Sequence, residues 1–170
     1  EIKGTTEETY KEIAKLSGKI TYQDQTFSLG QYITTKEKIG QEGTIFFFTS
    51  INKNSEYKNK VYFFDIADSY VKDRMSLYID GNGFLSWRVI DSNFIIHELK
   101  YYIDPWLDGR DFSIGLTWTK DGNLRMYIAG VLEKEIKLDK LELNIESNNM
   151  YWGSDIDGED KMNLLDYNRI

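Results

Sequence analysis

Apolar and polar side chains alternate with a period of two along most of the chain from Lys19 onward, which is the signature of half-buried strands. Runs at Lys19–Gln23, Thr26–Thr34, Thr44–Thr49, Lys60–Ile66, Met75–Ile79 and Phe84–Ile90 predict the first of them. The pattern continues through Phe94–Lys100, Phe112–Trp118, Leu124–Ile128, Val131–Lys137, Met150–Trp152 and Asn163–Ile170. Between the runs lie turn signals: Asp80-Gly81-Asn82-Gly83, Asp108-Gly109, Asp121-Gly122-Asn123 and Asp157-Gly158. Asp121-Gly122, set between two alternating runs, marks a hairpin. About a dozen short strands at near-regular spacing predict an all-β fold, a two-sheet jelly-roll sandwich.

Residues 1–18 keep a different period. Thr5-Thr6-Glu7-Glu8 offers a capping box, Tyr10, Ile13, Ala14 and Leu16 fall at helical spacing, and Gly18 is a stop signal. The chain is therefore expected to divide into a short N-terminal helix or stalk remnant, 1–18, and a β-sandwich domain, 19–170. It opens at Glu1 without a methionine and shows no signal peptide, so the N-terminus reads as trimmed.

The same alternation sorts side chains by face. Met75, Leu77 and Ile79 form one set, as do Leu85, Trp87 and Val89, Leu116 and Trp118, and Leu124, Met126 and Ile128; all are expected inside. Tyr78, Arg88, Arg125 and Tyr127 are left pointing outward, and the pattern groups them on an outer face. Two aromatic rings with two guanidinium groups suit a sugar, whose apolar face stacks on a ring while its hydroxyls seek charged donors. The plainer reading is an ordinary amphipathic sheet surface. Ile45–Phe48 and Val61–Phe64 are apolar at every position, so part of the outer face is expected to be covered.

Composition narrows the chemistry. The 170 residues are 41% hydrophobic and 15% aromatic, enough for one well-filled core. The absence of cysteine excludes disulfides, thiolate nucleophiles and Cys-based metal centres, and a single histidine, His97, excludes multi-His sites. His97 lies in a predicted strand, and no G-x-S-x-G elbow supplies a nucleophile for it, so it reads as structural or surface-exposed. A net charge of −7 disfavours nucleic acid and anionic membranes as partners. The longest apolar run, Ile45–Phe48, is far short of a membrane span.

Trp106-Leu-Asp-Gly109-Arg-Asp-Phe112-Ser-Ile-Gly-Leu-Thr117-Trp118, followed by Asp121-Gly122-Asn123-Leu124-Arg-Met-Tyr127-Ile128-Ala-Gly130, resembles laminin-G-like modules of the concanavalin A-like lectin and glucanase superfamily. Gly43-Thr44-Ile45, Tyr151-Trp152-Gly153-Ser154-Asp155 and Leu165-Asp166 with Arg169-Ile170 are similar to its early and closing strands. Two departures are Trp152, where an aliphatic is usual, and the missing aromatic-then-proline ending of the first core strand. The resemblance implies a two-sheet jelly roll at an extracellular or cell-surface location. Carbohydrate or another surface protein would be bound by rim loops or a concave sheet, frequently with calcium. It also implies that Trp106 is a structural loop residue, although Trp106 is a candidate carbohydrate ligand as well. A minority of the superfamily hydrolyses glucans with an E-x-D-x-E strand. Neither Glu133-Lys134-Glu135 nor Asp155-Ile156-Asp157 supplies one.

For metal, Ser154-Asp155-Ile156-Asp157-Gly158-Glu159-Asp160 gathers four carboxylates, and Asp155, Asp157 and Asp160 are the candidate calcium ligands. A solvated Asp/Gly turn is the competing reading of the same run. Asp65 and Asp68 form a second acidic candidate. The function expected from all of this is a non-catalytic binding module of a surface or extracellular protein, recognising carbohydrate. The alternative is a structural or protein-interaction head domain of a surface assembly, such as a pilus or layer protein, with the N-terminal helix as its mount. Glycoside hydrolysis is a minor alternative.

Overall fold

The computed structural model describes residues 24–25, 33–35, 39–52, 60–67, 69, 71–145, 149–152 and 168–169. They form β1 (Asp24–Gln25), β2 (Ile33–Thr35), β3 (Gly43–Asn52), β4 (Val61–Ala67), β5 (Arg74–Ile79) and β6 (Phe84–Ile90). Next come β7 (Ile96–Tyr102), a single 3-10 turn at Asp104–Trp106, β8 (Asp108–Trp118), β9 (Asn123–Ile128), β10 (Val131–Lys137), β11 (Asn149–Trp152) and β12 (Asn168–Arg169). The predicted helix of residues 1–18 and the predicted strand Lys19–Gln23 lie outside the described residues.

The strands make two six-stranded antiparallel sheets. The first runs β1-β12-β3-β8-β9-β10 and the second β2-β11-β4-β5-β6-β7. β4 to β7 are a meander joined by short loops. The chain then crosses back, so that β8 lies against β3, and β11 later returns to the second sheet beside β4. This is the expected two-sheet jelly-roll sandwich. Phe84–Ile90 and Val131–Lys137 coincide with their predicted runs. β3 and β8 outlast theirs, because their polar ends pair with each other: Ser50 opposes Asp111 and Asn52 opposes Asp108 across a bulge.

The core lies between the sheets. Phe47, Ile114, Leu116 and Met126 enter it from the first sheet, and Met75, Leu77, Trp87 and Val89 from the second, all fully buried. The two uninterrupted apolar runs have separate explanations. In β4 a register shift between Tyr62 and Phe64 lets both Phe63 and Phe64 join the core, so Val61–Phe64 need not alternate. In β3 the run does alternate. Phe47 is buried in the core and Ile45 packs against it, while Phe46 and Phe48 stand on the other face with ring centroids 5.1 Å apart, edge to face.

Trp118 ties the rim of the first sheet. Its indole N–H donates to the carbonyl of Gly40 at 3.1 Å, and its ring lies across its cross-strand partner Gly43. A Cβ at Gly43 would stand 2.7 Å from Trp118 Cζ2, closer than carbon atoms pack. Gly43→Ala must therefore displace the indole, and we expect a loss of about 1–3 kcal/mol in chemical denaturation, the usual cost of overpacking.

Candidate functional site

The outward residues singled out by alternation do not share one face. Tyr78 and Arg88 belong to β5 and β6 of the second sheet, whereas Arg125 and Tyr127 belong to β9 of the first. The core separates the two pairs. Alternation states only that a residue points away from the core; it carries no information on which sheet a strand joins.

On the first sheet the register aligns a row across four strands: Phe46 of β3, Gly115 of β8, Tyr127 of β9 and Leu132 of β10. Gly115 leaves a gap in that row. A Cβ placed there would meet Phe46 Cδ2 and Tyr127 Cβ, each at 3.5 Å, so the two aromatic side chains flank a bare stretch of backbone. Thr44, Thr117 and Arg125 form the adjacent row, with Glu135 at its end. The Arg125 guanidinium donates to Glu135 Oε1 at 2.6 Å. An apolar strip therefore lies directly beside a polar one. Phe46, Tyr127 and Arg125 are all partly exposed.

The second sheet's outer face is more enclosed. Tyr62, Ser76, Tyr78 and Ser86 are buried on it, and the Tyr62 and Tyr78 rings lie 5.2 Å apart. Asp65, fully buried, receives Nε and Nη2 of Arg74 at 2.9 and 2.8 Å. Both of its oxygens thus accept from a guanidinium. Asp68 and the proposed ligands Asp155, Asp157 and Asp160 lie outside the described residues.

Trp106 ends the 3-10 turn that leads into β8. Its ring packs on Phe112 at 5.4 Å between centroids, and the Arg110 guanidinium lies over it at 5.5 Å. Arg110 is held in turn by Asp108, whose carboxyl its hydrogen bonds bring down to about 2. Trp106 is partly buried and packs against the core.

Three loops share one construction. In Asp80–Phe84, Asp91–Ile95 and Thr119–Asn123 the first residue's side-chain oxygen accepts the amide of the fifth, and the fourth amide bonds the first carbonyl. The fourth residue is left-handed each time: Gly83 at φ 79°, Phe94 at 65° and Gly122 at 88°. Phenylalanine thus stands where the two sister loops use glycine. Phe94, Ile95 and Ile96 are each more than half exposed, as is nearby Val71. His97 has Nε2 3.1 Å from Asp91 Oδ2.

Sequence reasoning missed Phe46, Gly115 and Leu132. Their signal was the unbroken apolar run Ile45–Phe48, but only the register shows that Phe46, Gly115, Tyr127 and Leu132 stand in line.

No family model matches the chain, and no curated protein matches it in sequence. Solved structures do match in fold. The botulinum neurotoxin serotype G binding domain superposes with a TM-score of 0.60 at 17% identity, covering 91% of this chain and 42% of that one. The receptor-binding domain of botulinum neurotoxin D gives 0.61 at 19% identity, covering 78% of this chain and 37% of that one. The serotype D ligand-binding domain in complex with N-acetylneuraminic acid gives 0.60 at 20%, with 78% and 36% covered. The chain spans about two fifths or less of the length of these domains. At this identity the likeness establishes a β-sandwich of the kind found in those binding domains.

Tyr78 provides a test of the second sheet's geometry. Burial, reinforced by its hydrogen bond to Glu98 and that carboxylate's charge, pushes its hydroxyl up to about 12. The folded state then holds the proton more tightly than the unfolded state, in which tyrosine titrates near 10. Stability from this group is complete below about pH 10 and is lost as pH rises towards about 12. Chemical denaturation across that window should show the loss for the native chain, with a weaker dependence in Tyr78→Phe.

Proposed function

We propose that this domain is a non-catalytic module that binds carbohydrate on the outer face of the first sheet. The observation that carries the reading is the Phe46–Gly115–Tyr127–Leu132 row lying against the Thr44–Thr117–Arg125–Glu135 row. A pyranose has one apolar face and a hydroxyl rim. The flanking Phe46 and Tyr127 rings, with bare backbone between them, suit the former, and the threonine hydroxyls and the guanidinium suit the latter. The fold neighbours support a binding role: all three described above are binding domains, and one was solved with a sugar acid. On this face Glu135 is occupied by Arg125, so it is not poised as one of the paired carboxyls that glycoside hydrolysis uses. Extracellular or cell-surface placement follows from the same reading.

Gly115 gives a clean test. Its added Cβ would make only ordinary contacts at 3.5 Å, so Gly115→Ala should fold with unchanged melting temperature while filling the gap. On a glycan array followed by calorimetric titration of the best hit, we expect Gly115→Ala and Tyr127→Ala each to weaken binding by about fivefold or more, roughly 1 kcal/mol of stacking. No retained glycan, or binding unchanged in both variants, overturns the proposal.

A second reading, a protein-interaction head domain, is favoured by the exposed apolar tip at Phe94–Ile96. A phenylalanine in the left-handed region costs roughly 1–2 kcal/mol, and here the ring is more exposed than buried. A contact outside the chain would explain its retention. Phe94→Gly should then raise the melting temperature by a few degrees. A drop would show that the ring is kept for the domain's own stability, by its contact with Lys72 at 5.7 Å.

A further inference from the structure

Among the described strands, β7 ends the second sheet and pairs with β6 on one side only. The ladder sets what its other side presents. The Asp91 amide bonds the Ile95 carbonyl at one end of the β6–β7 hairpin, and the Ile103 amide bonds the Gly83 carbonyl at the other. Between those ends the register is unbroken, from Ile90 opposite Ile96 to Phe84 opposite Tyr102. Bonded and non-bonded pairs alternate along an antiparallel ladder, so His97, Leu99 and Tyr101 are the residues that bond to β6. Ile96, Glu98, Lys100 and Tyr102 turn their amides and carbonyls away from it. Such an edge is a template for another strand.

The side chains of the same four residues share the sheet's outer face and run apolar, acidic, basic, apolar. Ile96 and Tyr102 are each more than half exposed, and Tyr102 packs on Phe84 with ring centroids 5.3 Å apart. This order is complementary to itself when reversed. If two copies lie antiparallel about Leu99, Glu98 of each meets Lys100 of the other, and Ile96 meets Tyr102. The backbone groups turned away from β6 then face each other and exchange hydrogen bonds. Glu98 Oε2 and Lys100 Nζ are 3.4 Å apart within one chain, so two copies would close a ring of four alternating charges. A register shifted by two residues opposes Glu98 to Glu98 or Lys100 to Lys100, and a shift by one leaves the backbone groups out of line. Charge thus selects one register of this edge. The edge of the first sheet has no such match: β10 carries a register shift between Leu132 and Lys134, and reversal about Lys134 sets Glu133 against Glu135.

We propose that β7 is the interface of a symmetric dimer, in which the second sheets of two copies of this chain join edge to edge into one continuous sheet, with the two-fold axis beside Leu99. The interface is on the opposite sheet from the aromatic row and does not depend on carbohydrate binding.

Sedimentation velocity on the full chain, from about 1 µM to about 1 mM, covers the affinities expected of a small interface. We expect the native chain to pass from monomer to dimer across that range. Lys100→Glu sets like charges against each other at both Glu98 positions and should weaken association by at least about tenfold. Glu98→Lys should do the same. An equimolar mixture of the two variants should recover a dimer, because each lysine then meets a glutamate of the other chain; damage to the fold would not be repaired by mixing. A native chain that stays monomeric throughout overturns the proposal. So does a dimer that Lys100→Glu leaves unchanged, or a pair of variants that mixing does not restore. Glu98 also accepts the Tyr78 hydroxyl. If Glu98→Lys does not fold, Ile96→Lys, at an exposed position set against Tyr102 of the second copy, replaces it, and association undiminished by that change overturns the interface. Tyr127→Ala should dimerise as the native chain does; loss of the dimer there would move the contact to the first sheet and overturn the proposal.

Discussion

The antiparallel pairing of β3 with β8 is the constraint on which the rest of the domain depends. It joins Gly43–Asn52 to Asp108–Trp118, segments separated in sequence by the whole meander of the second sheet. Closing so long a loop is entropically expensive, and the return comes from the two strands' inward residues, Phe47, Ile114 and Leu116 among them. The same register sets Trp118 against Gly43 at one end and Gly115 against Phe46 in the middle. One pairing therefore secures the rim and builds the aromatic row.

The two outer faces solve different problems. On the first sheet, side chains of moderate exposure stand in rows, and Arg125 pairs locally with Glu135. On the second, polar groups are packed away from water and must find partners within the protein. Asp65 and Arg74 do so completely, with two parallel hydrogen bonds. Tyr78 and Glu98 do so through one hydrogen bond of 2.9 Å. Such a face is stiff, because each group is fixed by its neighbour.

Loop chemistry shows how one local solution is reused. Asp80, Asp91 and Thr119 each turn a side-chain oxygen back onto the loop that they open, satisfying an amide that would otherwise face solvent alone. Glycine then takes the left-handed position in two loops, and Phe94 takes it in the third. The backbone hydrogen bonds of the third loop are as complete as those of its sisters, so the strain is held by Asp91 and its contact with His97.

Sequence alone determined the strand periodicity, the burial of Trp87, Trp118, Leu116 and Met126, and the hairpin at Asp121-Gly122, because each is written in residues near one another along the chain. It also set the charge and the lack of cysteine that limit the chemistry. It could not determine which strands are neighbours. Alternation marks Tyr78, Arg88, Arg125 and Tyr127 alike as outward, and only the sheet order divides them between two faces. Nor could it foresee that Phe63 and Phe64 both turn inward, since a bulge is a property of two strands together. The row through Gly115 is a tertiary fact for the same reason: it depends on side chains brought alongside by registers between strands, and periodicity within a single strand carries no record of its partner.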